Sequence, residues 1–230
     1  MNPLQIKIFY FHEKLQNFSY LIHDHNSGYV VDPYNAAPIL HFANTHKIQI
    51  LGILNTHDHF DHIQGNLEIC EKTQCSVYLE LVELQWKNHF IKSYFAPGHC
   101  SKHYVYGFDE QHFFMGDLLF QGGVGRCLQG GDPLTLANSL LNMIPIIKPH
   151  AYWYPGHDYW MNNYSFAKQF DFFNNVIAQL PQHTQGQLAH HRLDFELKHN
   201  IFLWCLDEKN WNTIDHTIKG CNPMECFINL

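Results

Sequence analysis

Positive charge is scarce in this chain. Of 230 residues only 14 are lysine or arginine against 21 acidic ones, giving a formal net charge of −7. Just two are arginines, Arg126 and Arg192. A nucleic-acid binder draws affinity from phosphate neutralisation and shows a basic, arginine-rich stripe, so no nucleic-acid partner is expected. Long apolar runs are missing too. The most apolar windows, residues 50–54 and 140–147, fall far short of the roughly 20 residues that cross a bilayer. Residues 1–7 lack the apolar stretch of a signal peptide. The seven cysteines include no C-x-x-C pair, and an odd set of this kind reads as free thiols in a reducing compartment. The expectation is a cytoplasmic protein with no membrane contact; a monomer is the default.

What is present is a globular composition, 46% hydrophobic and 15% aromatic, enough for one sizeable core. Short β-like stretches at residues 5–11, 18–24 and 29–32 precede a helix over 36–45 capped by Asn35. A β-branched strand over 48–55 runs into a histidine cluster, followed by a helix over 64–73 and a strand over 76–81. A second β block covers 103–108, 111–115 and 118–120. A glycine-rich loop, a helix over 133–143 and a last strand over 151–154 come next. From about residue 162 the period turns helical, with Phe166, Phe170, Phe173 and Ile177 on one face, expected to pack on the preceding sheets. The pattern predicts a mixed sheet with flanking helices and a helical tail of about 65 residues.

Nineteen histidines are many for this length. Most read as solvated surface residues, but one group has ligand spacing. His57-x-His59-x-Asp61-His62 follows a predicted strand, and alternation points His57 and His59 the same way. At this composition the pattern arises by accident about 0.7% of the time. His99 in Pro97-Gly98-His99, Asp117 after Gly116 and His157 after Pro155-Gly156 each sit at a strand end beside glycine. Two sites result: His57, His59 and His99 around one ion, Asp61, His62 and His157 around the other, with Asp117 between. Three protein ligands per ion plus a bridge leave room for water, as in catalytic rather than closed structural sites. The alternative is a solvated histidine loop with isolated surface residues. Three imidazoles suit zinc, and the second site also accepts iron or manganese.

The order T-H-x-H-x-D-H, P-G-H, G-D, G-H resembles the metallo-β-lactamase superfamily. Within it the chain looks like glyoxalase II, the hydroxyacylglutathione hydrolases. The likeness is carried by residues 17–22, Val31-Asp32-Pro33, residues 116–126, Gly156-His157-Asp158-Tyr159, Asn162-Asn163, Phe166-Ala167 and, more weakly, residues 200–203. It implies an α/β fold, an αββα metallo-β-lactamase sandwich over residues 1–165, and a C-terminal helical substrate-binding domain over 166–230. It implies two metal ions, with Asp61 and Asp117 as catalytic carboxylates, and hydrolysis of S-D-lactoylglutathione to D-lactate and glutathione in methylglyoxal detoxification. Arg126 and Tyr159 are then expected to contact a small-molecule glutathione thioester. No protein nucleophile is needed, and Cys100 reads as a bystander.

Substrate recognition departs from that pattern. Leu128 stands where tyrosine is usual, the C-terminal stretch lacks the family's basic pair, and the segment between Asn66 and Pro97 is short. Another thioester or a lactone therefore remains an alternative substrate. A persulfide dioxygenase would lack the full second site, a superfamily RNA nuclease would need a basic face, and a non-catalytic metal protein would need a closed pocket.

Overall fold

Strict alternation along the strands decides which residues meet where. Phe18, Tyr20 and Ile22 point to one side of their strand, while Leu21 points to the other. In the computed structural model, which describes residues 3–80, 83–127, 130–148, 150–180, 185–186, 191–214 and 223–230, that alternation builds two sheets face to face. The first has the order β1 (Gln5–Tyr10), β2 (Phe18–His23), β3 (Ser27–Val31), β4 (Gln49–Leu54) and β5 (Ser76–Tyr78). It is antiparallel across β1–β2–β3 and parallel across β3–β4–β5. In chain order the second sheet comprises β6 (Glu83–Trp86), β7 (His89–Phe95), β8 (Tyr104–Phe108) and β9 (His112–Gly116). A small hairpin of β10 (Leu119–Phe120) and β11 (Gly123–Val124) follows, and then β12 (Tyr152–Pro155) and β13 (His191–Arg192) complete that second sheet.

Aromatic side chains fill the space between the sheets: Phe18, Tyr20 and Tyr29 from the first meet Tyr106, Phe114 and Tyr154 from the second. Helices cover both outer faces. On the first, α1 (Ala36–His46) and the residues 60–73 region, α2 (Phe60–Ile63) and α3 (Asn66–Thr73), bury Ile39, Ala43 and Ile69 against Leu21, Val30 and Ile53. On the second, α4 (Pro133–Met143) lays Leu136, Leu140 and Met143 on Phe113, Met115 and Trp153. The layering is αββα, as the fold class predicts.

Differences from the sequence reading have local causes. The hairpin β6–β7 is not foreseen: its turn is Lys87-Asn88 without glycine, and Phe90 and Phe95, on opposite faces of β7, are both exposed, so the alternation is blurred. The predicted helix over 64–73 starts earlier and breaks, because Gly65 packs on Pro33 with its N–H donating to the Pro33 carbonyl at 2.7 Å. Among the described residues the tail contains α5 (Trp160–Ala167), a 3₁₀ turn at Asp171–Phe173, α6 (Asn174–Ile177), α7 (Leu193–His199), α8 (Ile201–Leu206), a 3₁₀ segment at Glu208–Thr213 and α9 (Pro223–Asn229). Phe166, Phe170, Phe173 and Ile177 do share one apolar cluster, but with Ile201 and Phe202 of the tail itself. The residues that attach the tail to the sandwich are instead Leu193, Leu203, Leu206 and Phe227. No described helix is long and apolar enough to cross a membrane.

One polar group is buried at that attachment. Glu196 on α7 is fully buried and accepts hydrogen bonds from the Gly122 N–H (3.0 Å) and Asn200 Nδ2 (3.2 Å). Burial outweighs those bonds and pushes its carboxyl from 4.5 up to about 7. Between those pH values the folded chain keeps a proton that the unfolded chain has released, so this group's contribution to stability falls as pH rises. Glu196→Gln keeps an acceptor without the charge. It is expected to be more stable than the parent at pH 8, by about 3 kcal/mol at most, and to gain nothing at pH 4.5. Denaturant unfolding at the two pH values checks this; an equal effect at both would contradict it.

Candidate metal centre

Four strand ends and loops meet at one rim of the sandwich. The chain leaves β4 into Asn55-Thr56-His57, leaves β9 through Gly116 into Asp117, and leaves β12 through Gly156 into His157. The connection from β7 to β8 brings His99. Gly116 has φ +51°, and a Cβ there would strike the Thr56 hydroxyl and His103. A Cβ on Gly156 would strike an Asp117 carboxylate oxygen at 2.5 Å. Glycine at both places is what lets the backbone close around the carboxylate.

The structure brings all seven candidate metal-ligating residues together. His59 Nδ1 lies 3.0 Å from His57 Nε2 and 2.9 Å from His99 Nε2. Beside this trio, His62 Nε2 and His157 Nε2 are 3.2 Å apart, with Asp61 Oδ2 at 3.5 and 3.4 Å from them. Asp117 spans both groups. Its Oδ1 is 3.3 Å from both His62 and His157, while its Oδ2 is 3.6 Å from His99.

Whether these groups fit cations is settled by which nitrogens carry protons. His99 Nδ1–H donates to the Arg126 carbonyl (2.5 Å) and His157 Nδ1–H to the Leu15 carbonyl (2.7 Å), since a carbonyl can only accept. Asp32 Oδ2 accepts from the Thr56 hydroxyl (2.6 Å) and from His62 Nδ1 (2.9 Å). The Thr56 proton being committed, its oxygen accepts from His57 Nδ1 (3.0 Å). In their neutral forms all four rings therefore turn a bare Nε2 lone pair inward. His59 alone turns Nδ1 inward, and its buried Nε2 has no hydrogen-bond partner. Lone pairs facing each other at about 3 Å repel unless a cation lies between them. A tetrahedral ion at about 2.05 Å from each ligand holds its donors about 3.3 Å apart, within a few tenths of the spacings found. The donor set fits two cations.

With no ion between them, the carboxylates draw positive charge onto one of these rings. Burial opposes charge on His62, yet Asp117 and Asp32 overcome it and hold its pKa well above the usual range. Burial opposes charge on Asp117 as well, and His157 and His62 hold its carboxyl well below the usual range. His57, desolvated and next to His62, is held well below the ordinary imidazole value. Cys100 has its thiol pushed up to about 11 by burial, with Sγ–H on the Lys102 carbonyl, and is a poor nucleophile.

The supporting roles of three residues, Asp32, Asn17 and His103, escaped the sequence reading. Asp32 sits at φ 46°, an uncommon conformation for a non-glycine residue, held by the bonds its carboxylate receives from His62 and from both the N–H and hydroxyl of Thr56. Asn17 donates to Asp61 Oδ2 at 2.8 Å and fixes that carboxylate. His103 is fully buried, stacks on His57 with ring centroids 5.1 Å apart, and accepts from the Asp117 N–H at 3.1 Å. The Asp-Pro turn and the second histidine of Pro-Gly-His-x-x-x-His were visible signals. Their contacts, 14 to 44 positions apart in the chain, were not.

A cavity of about 380 Å³ opens onto His99 and Asp117 and is lined by Leu15, Phe120, Val124, Arg126, Tyr159, Asn162 and Asn163. Arg126 is exposed and lines this cavity, its charge acts on Tyr159, and its carbonyl holds His99. Tyr159 stacks flat on His157 at 4.7 Å. Leu128 and the C-terminal stretch at 219–222 lie outside the described residues.

The metallo-β-lactamase superfamily profile matches residues 12–99, a span containing Asn17, Asp32, the 57–62 segment and His99. Over nearly its whole length the chain is 30% identical to a hydroxyacylglutathione hydrolase of Francisella philomiragia, covering 90% of each. The chain belongs to the metallo-β-lactamase superfamily. ETHE1 from Myxococcus xanthus has the same fold, with a TM-score of 0.69 at 20% identity over 89% of this chain and 87% of that one. So does a chain crystallised in a di-iron-bound form, with a TM-score of 0.63 at 24% identity over 86% and 100%. Superfamily membership and the paired His/Asp groups support a metal-dependent hydrolase with a two-metal site.

The paired arrangement makes the shared carboxylate the test of the site. The parent is expected to carry two ions per chain, His157→Ala about one, and Asp117→Ala fewer than two because both ions lose a ligand. Elemental analysis of the purified proteins checks this. Two ions retained in Asp117→Ala would contradict a bridging role.

Proposed function

We propose that the protein is a two-metal thioester hydrolase that cleaves S-acylglutathiones, S-D-lactoylglutathione foremost, to the carboxylic acid and glutathione. The observation that carries this reading is the cavity itself, which sets a lone arginine and two asparagines directly beside the His/Asp groups. Glutathione has carboxylates and amides, and those side chains complement both. The relatives named hydroxyacylglutathione hydrolase support the same substrate class.

His57, His59 and His99 would hold one ion, Asp61, His62 and His157 the other, and Asp117 both. Zinc is the expected occupant of the three-imidazole site, with iron or manganese also suited to the second. When bound, such a pair supplies Lewis acidity that makes water nucleophilic near neutral pH and stabilises negative charge on the carbonyl oxygen. Asn17 keeps the Asp61 carboxylate turned to the centre, and Asp32 with Thr56 keeps His57 and His62 in one tautomer. Phe120 and Val124 give the cavity an apolar wall that limits water around the thioester. Burial holds the Tyr159 phenol protonated, so it acts as a donor to substrate. Arg126 binds a carrier carboxylate. Water supplies the oxygen that replaces sulfur, the C–S bond breaks, and the thiolate leaves and is protonated to glutathione. Residues 166–230 would serve as a substrate-binding extension. The six cysteines among the described residues are free thiols, consistent with action in the cytoplasm.

Arg126→Ala tests the carrier. The contact would exist in the ground and transition states alike, so KM should rise with little change in kcat. A charge-assisted bond of about 1.5–3 kcal/mol corresponds to a loss of about 10- to 150-fold in kcat/KM. Steady-state kinetics on S-lactoylglutathione and on a small neutral thioester give the comparison. Equal losses on both would mean that Arg126 supports the loop, and would favour a lactone or an uncharged thioester as substrate.

A further inference from the structure

The cavity's arginine is carried on a segment that does not hold itself in place. β10 and β11 pair through only two residues each, and the turn between them, Gln121-Gly122, has Gly122 at φ +67°. Three polar side chains from the tail fasten that turn. Asn163 on α5 donates to the Gln121 carbonyl at 2.9 Å. Glu196 on α7 accepts the Gly122 N–H at 3.0 Å. Asn200, between α7 and α8, donates through Nδ2 to the Phe120 and Gly123 carbonyls at 3.2 and 2.9 Å and to Glu196 Oε2 at 3.2 Å. Its Oδ1 meanwhile accepts from the Phe202 N–H, capping α8. Glu196 and Asn200 are both fully buried. Three residues beyond Gly123 the chain reaches Arg126, whose carbonyl receives His99 Nδ1–H. The segment is therefore gripped by the tail at one end and by the candidate metal centre at the other.

We propose that Glu196 and Asn200 are positioning residues for substrate recognition: they set the glycine segment so that Arg126 faces the carrier in the cavity. This rests on the thioesterase reading above. It assigns the tail a role at one remove from the substrate. A carboxylate buried with no bonds to substrate is costly as mere packing, and an apolar residue would fill the same volume more cheaply. Its value lies in accepting one particular N–H. The same oxygen takes the Asn200 amide, so the two side chains form one unit and either loss frees the turn.

Two measurements test this together. The first is hydrogen exchange of the peptide spanning residues 121–127 in the parent, Glu196→Leu and Glu196→Gln. Glu196→Leu removes the acceptor at similar volume and should speed exchange in that peptide by about tenfold or more, while Glu196→Gln, which keeps an acceptor, should stay near the parent. The second is a kinetic cycle of Glu196→Leu, Arg126→Ala and the double variant on S-lactoylglutathione and on a small neutral thioester. Glu196→Leu should raise KM for the glutathione thioester about tenfold, with kcat within about threefold, and the double variant should bind no worse than Arg126→Ala alone. Glu196→Gln should restore KM. Additive losses in the double variant, equal losses on both thioesters, or unchanged exchange in Glu196→Leu would overturn the proposal. If Glu196→Leu does not accumulate, Asn200→Ala opens the same clamp and is read against the same outcomes. A parent that fails to hydrolyse any glutathione thioester would instead refute the substrate reading, and the exchange experiment would still decide whether the clamp exists.

Discussion

The constraint on which the site depends is the fixing of imidazole tautomers. His99 and His157 give Nδ1–H to main-chain carbonyls, while Asp32 takes the Thr56 and His62 protons and so obliges Thr56 to receive that of His57. Once those protons are placed outward, the remaining lone pairs can only converge. The convergence costs electrostatic repulsion in the bare protein and becomes favourable only around positive charge. The sandwich supplies the rigidity for this: Asp32 at the end of β3, His57 just after β4, Asp117 after β9 and His157 after β12 emerge from neighbouring strands of two packed sheets. Tyr20 of the first sheet ties its hydroxyl to the Pro155 carbonyl of the second, directly before Gly156-His157.

The second feature of the architecture is that a cavity-lining residue and a group holding a candidate metal ligand share one segment of chain. Arg126 lines the cavity and gives its carbonyl to His99, so a change in the path of residues 121–126 bears on both. The tail is joined to that segment by buried hydrogen bonds and to the sandwich core by Leu193, Leu203, Leu206 and Phe227. Its attachment is thus both apolar and specific. Apolar burial gives strength without direction, and the Glu196–Asn200 pair gives direction at the cost of burying a carboxylate.

Much of this was legible before any coordinates. The spacing of His57, His59, Asp61 and His62 after a β-branched strand, and Pro-Gly or Gly placed before His99, Asp117 and His157, located the donor set, because ligand spacing and strand-end glycines are local properties. The order of elements gave a mixed sheet with flanking helices, and the αββα layering came from the family resemblance. What could not be read was non-local. Asp32, Asn17 and His103 act through partners 14 to 44 positions away, and Glu196 acts through Gly122, 74 positions away. In the sequence Glu196 is an ordinary helical glutamate beside Lys198. The hairpin at residues 83–95 was hidden for a different reason, since its turn lacks glycine and Phe90 and Phe95, on opposite faces of β7, are both exposed. The periodic phenylalanines of the tail were recognised as one face, but periodicity does not say what the face meets.

The central claim is that two cations sit side by side with the Asp117 carboxylate between them. Crystals of the metal-loaded protein measured at the absorption edge of the metal test it most directly, because anomalous scattering locates ions independently of assumptions about ligands. The account predicts two anomalous peaks, one among His57, His59 and His99 and one among Asp61, His62 and His157, each within bonding distance of a different Asp117 oxygen. A single peak, or peaks that leave Asp117 uncoordinated, would contradict it.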